Sequence, residues 1–188
     1  MAEYRTITTP LIKEVTRSLH IGEHVLISGT IYTARDAAHK RMIETLQKGE
    51  KLPVSLENQI LYYVGPSPAK PGHIIGSAGP TTGGRMDSYT PAMLQQGLTG
   101  MIGKGKRSAK VLNELKTYGA VYFAAIAGAG ALISQHIIKY TVIAYPELGP
   151  EALAAMEVKD FPVIVVGDTE GKDFYVEGPR EYLKHIAS

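Results

Sequence analysis

Cysteine is absent from all 188 residues. That absence excludes a disulfide-stapled scaffold, a thiolate zinc site and any iron–sulfur cluster ligated by this chain alone. Charge of one sign is also scarce. The formal net charge is +2, and the densest basic run is the four residues KGKR at 104–107, too little to argue for a nucleic-acid or membrane partner. No apolar run is long enough to span a bilayer. The best, GAVYFAAIAGAGALIS at 119–134, carries three glycines and falls short of the roughly 20 residues needed. The opening MAEYRTITTPLIKEV lacks the apolar core of a secretory signal. With 44% hydrophobic and 20% charged residues, the expectation is one soluble, cytoplasmic globular domain with a real core.

What is present alternates between strand and helix patterns. HVLISGTIY (24–32) is β-branched and apolar, a buried strand running into Thr33. Thr33 as N-cap, Asp36 three residues on and Gly49 past the end predict a helix of about four turns. QILYYVGP and HIIGSAGP read as two short strands, each closed by Gly-Pro. Thr90-Pro91 predicts a helix start, with Gly97 as its C-cap. LTGMIG is a strand, Ser108 caps a helix through Tyr118, and AVYFAAIAG is another strand. GAGALISQHIIKY reads as a helix, TVIAYPEL and FPVIVVGD as strands, DTEGKD as a hairpin turn, and PREYLKHIAS as a closing helix with Pro179 in its first turn. The order implies an α/β domain with a mixed sheet.

The glycine-rich stretches do not read as nucleotide loops. GAGALI (128–133) has Ile where a dinucleotide fingerprint needs its third Gly or Ala, and Leu98 stands where a phosphate loop ending at Gly103 needs its first Gly. Of the six histidines, only His20 and His24 have metal-like spacing, and Gly22 between them argues against a shared helix face. All six read as solvated or hydrogen-bonded groups. No GxSxG elbow is present.

A pattern of cations remains, placed where strands meet helices or loops. Arg35 follows the strand HVLISGTIY, Arg85 ends the GPTTGG loop, and Lys104 ends LTGMIG. In open α/β sheets ligands bind at such ends. Arginine holds a carboxylate through two donors and lysine adds a point charge, so three such groups suit a small dianion. Glycines in the loop let backbone N–H groups approach a ligand, with the hydroxyls of Thr81 and Thr82 beside Gly83. Each cation taken singly reads first as a solvated or capping residue; it is the three together that point to a ligand.

ISGTIYTARDAAHKRM (27–42), GPTTGGRMD (79–87) and MIGKGKRS (101–108) together resemble the three signature segments of the iron–sulfur hydro-lyase family, in order and over nearly the whole chain. In that family class I fumarases carry this module as a C-terminal domain or a separate β subunit, and the β subunit of tartrate dehydratase is a near relative. In the tartrate branch a Cys follows the Thr before Arg-Asp and a Ser-Met pair precedes the loop arginine. Here Ala34 and Gly83-Gly84 occupy those positions, which favours the fumarase branch.

The resemblance implies a swivelling β/β/α domain, with a mixed sheet flanked by helices, and reversible hydration of fumarate to L-malate. It implies a [4Fe–4S] cluster held by three cysteines of a partner, the fumarase α subunit, with one iron open to the substrate hydroxyl. It also implies a two-subunit enzyme, α2β2 or built on a β homodimer, that is inactive as this chain alone. By resemblance Arg85 and Lys104 grip the substrate carboxylates with Thr82 and Gly83, Thr81 is the base, and Arg35 lies against the reacting centre and lowers the threonine pKa. Asp36 reads as helix capping and His39 as packing. Two alternatives stay open: the tartrate dehydratase β subunit, and a non-catalytic carboxylate-binding or assembly module. A neighbouring gene for a larger chain with three spaced cysteines would decide for the catalytic subunit.

Overall fold

The computed structural model of the chain describes residues 4–126 and 128–186. Its strands are β1 (Tyr4–Thr8), β2 (His24–Thr33), β3 (Ile60–Tyr62), β4 (Gly100–Gly103), β5 (Val121–Ala124), β6 (Ile137–Ala144) and β7 (Leu153–Gly167). The helices are α1 (Lys13–Thr16), α2 (Asp36–Gln47), α3 (Thr90–Gln95), α4 (Ala109–Tyr118), α5 (Gly130–Ile133) and α6 (Phe174–Ile186). Among the described residues no helix is long and apolar enough to cross a membrane.

β1 to β5 run parallel to one another in sheet order. β7 is antiparallel to β5 and also pairs with β2 along most of its length. The ring β2-β3-β4-β5-β7 therefore closes on itself, with β1 and β6 as outer strands. Alternation along the parallel strands sorts side chains between two cores. Ile60, Tyr62, Ile102 and Phe123 enter one cluster with Ile27, Ile31 and Phe161. Their neighbours Leu61, Tyr63, Met101 and Tyr122 enter a second, which Met42 of α2, Met93 of α3 and Leu115 of α4 complete. The result is the mixed α/β domain, a sheet with flanking helices, that the sequence leads one to expect.

Several boundaries differ, each for an identifiable reason. Thr33 is not the N-cap of α2; it is still in register with Tyr62 on one side and Ala154 on the other, so the strand runs on and Arg35 becomes the cap. HIIGSAGP is not a strand: only Pro80 pairs, in a bridge to Val64. The expected helix over GAGALISQHIIKY is cut to α5 and a 3-10 turn over Ser134–His136, because Ile137 onward pairs with β7 as an edge strand. FPVIVVGD is only the second half of β7. DTEGKD does turn the chain back, with Gly167 and Asp173 paired in one antiparallel bridge, but it leads into α6 rather than a second strand. Asp173 in it accepts the Tyr175 N–H through its carboxylate at 2.9 Å, which starts α6 early and leaves Pro179 in the helix interior. β1 is not among the strands the sequence suggests. α4 matches its signals: Ser108 Oγ accepts the Val111 N–H, and Gly119, at φ 68°, supplies the left-handed C-cap. Ala127, the last two residues of the expected closing helix and the side chain of His185 lie outside the described residues.

Candidate functional site

Because β2, β3 and β4 are parallel, their C-terminal ends meet at one edge of the sheet, and three segments converge there. β3 and β4 still pair at Tyr63, whose N–H donates to the Ile102 carbonyl at 2.9 Å. Just beyond, the strands part and the 79–87 loop wedges between them. The Thr81 N–H donates to the Tyr63 carbonyl at 2.7 Å, the Lys104 N–H to the Thr81 carbonyl at 3.1 Å, and the Gly83 N–H to the Lys104 carbonyl at 2.8 Å. Both backbone groups of Thr81 are thus fixed. Among the described residues no hydrogen bond holds its hydroxyl. The Gly83 N–H is consumed by Lys104, so this glycine does not offer it to a ligand as the sequence suggests. The need for glycine lies beneath it: an added Cβ would collide with the Tyr122 hydroxyl and lie 3.0 Å from Cδ of Arg107. Lys104 and Thr82 line a cavity of about 430 Å³ with Ala124, Ile126, Ile164 and Tyr175; the Tyr175 hydroxyl accepts the Gly105 N–H at 2.9 Å.

Arg35 and Arg85 come together through an acid. Asp36 Oδ1 lies 3.0 Å from Nη2 of Arg85 and accepts its Nε–H at 3.0 Å, while Oδ2 accepts from Nε of Arg35 at 3.3 Å. The expected capping role of Asp36 falls instead to Glu151, from far along the chain. Its Oε2 accepts the Ala37 N–H at 2.9 Å, and its Oε1 lies 3.5 Å from Nε of Arg35. Among the described residues no acid pairs with Lys104; two carboxylates offset the charges of Arg35 and Arg85. Arg35 uses only Nε on them, and its remaining fork lies over Gly65, where a Cβ would approach Nη1 to 3.1 Å. Donors therefore remain for an incoming carboxylate, which would compete with Asp36 and Glu151. Among the described residues no hydrogen bond joins Arg35 to Thr81, so any effect of the guanidinium on the hydroxyl acts through space.

Below the loop lies an ion pair the sequence reading passed over. The Arg107 side chain is wholly buried, and its Nε donates to Asp87 Oδ1 at 2.6 Å. Asp87 Oδ2 accepts the Ser108 N–H at 2.8 Å, and Arg107 Nη2 donates to Thr90 Oγ1 at 2.5 Å. The guanidinium carbon lies 4.8 Å from the Tyr122 ring centroid and 5.5 Å from that of Tyr63, both favourable cation–π distances. Burial works against its charge, but Tyr63, the Asp87 hydrogen bond and Tyr122 outweigh it and hold the pKa above the ordinary arginine value.

His39 packs, as expected. It stacks on Tyr89 at 5.6 Å and meets the Tyr63 edge at 5.4 Å. Its Nδ1 lies 3.0 Å from the Arg35 carbonyl; a carbonyl only accepts, so that nitrogen carries the proton. Burial lowers its pKa to about 4, so it is neutral at pH 7. Among the described residues no group of three or more His, Asp or Glu is placed to hold a metal ion.

The signal for Arg107 and Asp87 was present in the segments GPTTGGRMD and MIGKGKRS, which both residues help to make up. Glu151 left none, since only the folded chain brings it to α2.

The family model described as Fumarase C-terminus matches residues 3–178. Fumarate hydratase 2 of Leishmania major is 40% identical over 157 residues, 82% of this chain and 28% of that one. The aerobic class I fumarate hydratase of Escherichia coli K12 is 38% identical over 169 residues, 87% of this chain and 31% of that one. A Methanocaldococcus jannaschii chain named for the subunit beta of L(+)-tartrate dehydratase is 36% identical over 182 residues, 94% of this chain and 93% of its own length. The chain thus spans less than a third of these two fumarate hydratases. It belongs to the Fumarase C-terminus family, whose members here carry the names of hydro-lyases.

Proposed function

We propose that this member of the family is the β subunit of a class I fumarate hydratase, a swivelling β/β/α domain that completes its active site with a separate α subunit. The observation that carries the reading is the gathering, at one strand edge, of Arg35 and Arg85 around Asp36 with Thr81 wedged against the backbone of Lys104. The reaction is the reversible hydration of fumarate to L-malate. Towards fumarate, a proton leaves the carbon beside a carboxylate and hydroxide leaves the neighbouring carbon. Arg85 and Lys104 bind the carboxylates, with Thr82 beside them, and stabilise the negative charge that builds on the carboxylate next to the reacting carbon. Thr81, its main chain fixed on both sides, takes the proton on its ionised side-chain oxygen, which becomes the hydroxyl. Arg35 favours the ionised hydroxyl electrostatically.

A [4Fe–4S] cluster does not fit this chain, which has no cysteine; in this reading it belongs to the α subunit. Two observations support such a partner. The fumarate hydratases that match are more than three times the length of the matched region, whereas the chain named for a subunit beta matches over 93% of its own length. Ile126 and Leu132 are also exposed beside the site: Ile126 lines the Lys104 cavity, and the Gly130 carbonyl of α5 accepts the Ala78 N–H at 3.1 Å. The proposed setting is the cytoplasm, the complex α2β2.

The test is co-expression with the larger subunit, anaerobic reconstitution and a hydration assay. The complex should show a higher kcat/KM for fumarate and malate than for tartrate; the isolated chain should bind no stoichiometric iron and turn nothing over. Thr81→Val should lower kcat by about 10²–10⁴ with little change in KM. Near-normal kcat in that variant would reduce Thr81 to a loop-ordering hydroxyl. The tartrate reading is favoured by one observation, the match over 93% of the length of the chain named for subunit beta, and a preference for tartrate would establish it.

A further inference from the structure

The two groups assigned to the substrate carboxylates, Arg85 and Lys104, sit on different segments, so something must fix their separation. Backbone pairing joins Thr82 to Lys104, but Arg85 lies beyond it, in a short 3-10 turn over Gly83–Met86. That turn rests on Arg107. The guanidinium reaches past it to Asp87 on one side and Thr90 on the other, and Thr90 Oγ1 in turn donates to the Met86 carbonyl at 2.9 Å. Asp87 completes the circuit by accepting the Ser108 N–H, next in the chain to Arg107 itself and four residues from Lys104. The 83–90 segment is therefore tied at three points to the 104–108 turn. The contact is close enough that only glycine fits at 83, against Tyr122 and Cδ of Arg107. Arg107 is wholly buried, so it acts through others and touches no substrate.

We propose that the buried Arg107–Asp87–Thr90 network is a positioning device that sets the spacing between Arg85 and Lys104, and so selects diacids by the distance between their two carboxylates. The inference rests on the reading of Arg85 and Lys104 as carboxylate binders. It deepens that reading by assigning the length selectivity to residues outside the pocket. A buried ion pair built only for stability would not need the fork: lysine would supply the charge. Spacing does need it, since a point charge cannot hold Asp87 and Thr90 in fixed directions at once.

The experiment uses the reconstituted complex and three saturated diacids, malonate, succinate and glutarate, as competitive inhibitors of fumarate hydration. Wild type should favour the four-carbon succinate over its shorter and longer homologues by about tenfold or more. Arg107→Lys should flatten that ratio to about threefold or less, with inhibition by succinate weakened most. If Arg107→Lys does not assemble, Thr90→Val, which removes one acceptor and keeps the shape, should shift the ratio in the same direction by a smaller factor. In the isolated chain, hydrogen exchange should quicken at the amides of 83–85 and 104–106 and stay unchanged in β2 and α2. A variant that loses stability but keeps the wild-type inhibitor ratio overturns the positioning role and leaves the functional reading standing. A wild-type complex that responds to none of the diacids overturns the functional reading and the selectivity with it.

Discussion

Arg107–Asp87 and Arg85–Asp36 are both arginine–aspartate pairs, and the 79–87 loop supplies one member of each. The Arg107 side chain has no solvent exposure and finds a partner in every direction: an acid, a hydroxyl, two aromatic rings and the Met101 sulfur at 3.8 Å. The Arg85 side chain is 52% exposed and spends both Nε and Nη2 on one oxygen of Asp36. The Arg107 guanidinium cannot exchange partners without leaving its charge stranded in a low dielectric. An exposed pair gains little and is easily displaced. The difference separates architecture from function: the first pair holds the loop, and the second keeps donors ready for a carboxylate.

The sharpest way to break this comparison is to delete the acid of each pair. Asp87→Ala strands the Arg107 charge and should cost about 3–5 kcal/mol of unfolding free energy in a denaturant titration. A loss below about 1 kcal/mol would mean the buried pair is no more structural than the exposed one.

His39 offers the next largest effect, through pH. Its native pKa is about 4 against an ordinary 6.5, so between those values the unfolded chain binds a proton that the native chain refuses. Stability from this group is therefore complete above about pH 6.5, falls as pH drops, and levels off below about pH 4. The full loss is about 3 kcal/mol. Arg107 and Asp36 are the charged neighbours that modulate it. His39→Phe keeps the aromatic packing and removes the titration, so the stability difference between variant and wild type should shift in the variant's favour by about that amount from pH 7 to pH 4. A difference independent of pH would show that His39 is not held neutral.

The smallest effect is expected at the exposed pair. Asp36→Ala should lower stability by no more than about 1 kcal/mol. It should raise KM for fumarate only modestly, because Arg35 and Arg85 keep their charge but lose the acid that orients them. A loss as large as that of Asp87→Ala would erase the distinction.

How much of this was legible in the sequence follows from how local each signal is. Ser108 and Tyr118, read as the bounds of a helix, describe α4 because capping is a matter of a few neighbouring residues. The placement of Arg35 and Lys104 just past the ends of β2 and β4 was readable because a parallel sheet carries such positions to one edge, whereas Arg85 reaches that edge in a 3-10 turn with no strand leading into it. What was not readable depends on distant partners. β6 emerges from a glycine-rich, helix-like stretch only because β7 lies alongside it. Thr33 looks like a cap until Tyr62 and Ala154 hold it in a strand, and Glu151 takes the cap role from another part of the chain. Asp36 was read as a cap because nothing local shows that Arg85 folds back onto it. Arg107 was hidden differently: a basic residue in KGKR reads as solvated, and only the packing of Tyr63, Tyr122 and Gly83 around it shows that it is buried.

The most direct test of the central claim is Arg85→Ala in the reconstituted complex, followed by melting temperature and by KM for fumarate in the same preparation. Losing a charge-assisted contact of about 1.5–3 kcal/mol should raise KM about tenfold to a hundredfold. Because the Asp36 pair contributes at most about 1 kcal/mol, the melting temperature should move by no more than about 4 °C. An unchanged KM with a large fall in melting temperature would contradict the account: Arg85 would then be part of the scaffold, and the strand edge would not be the substrate site.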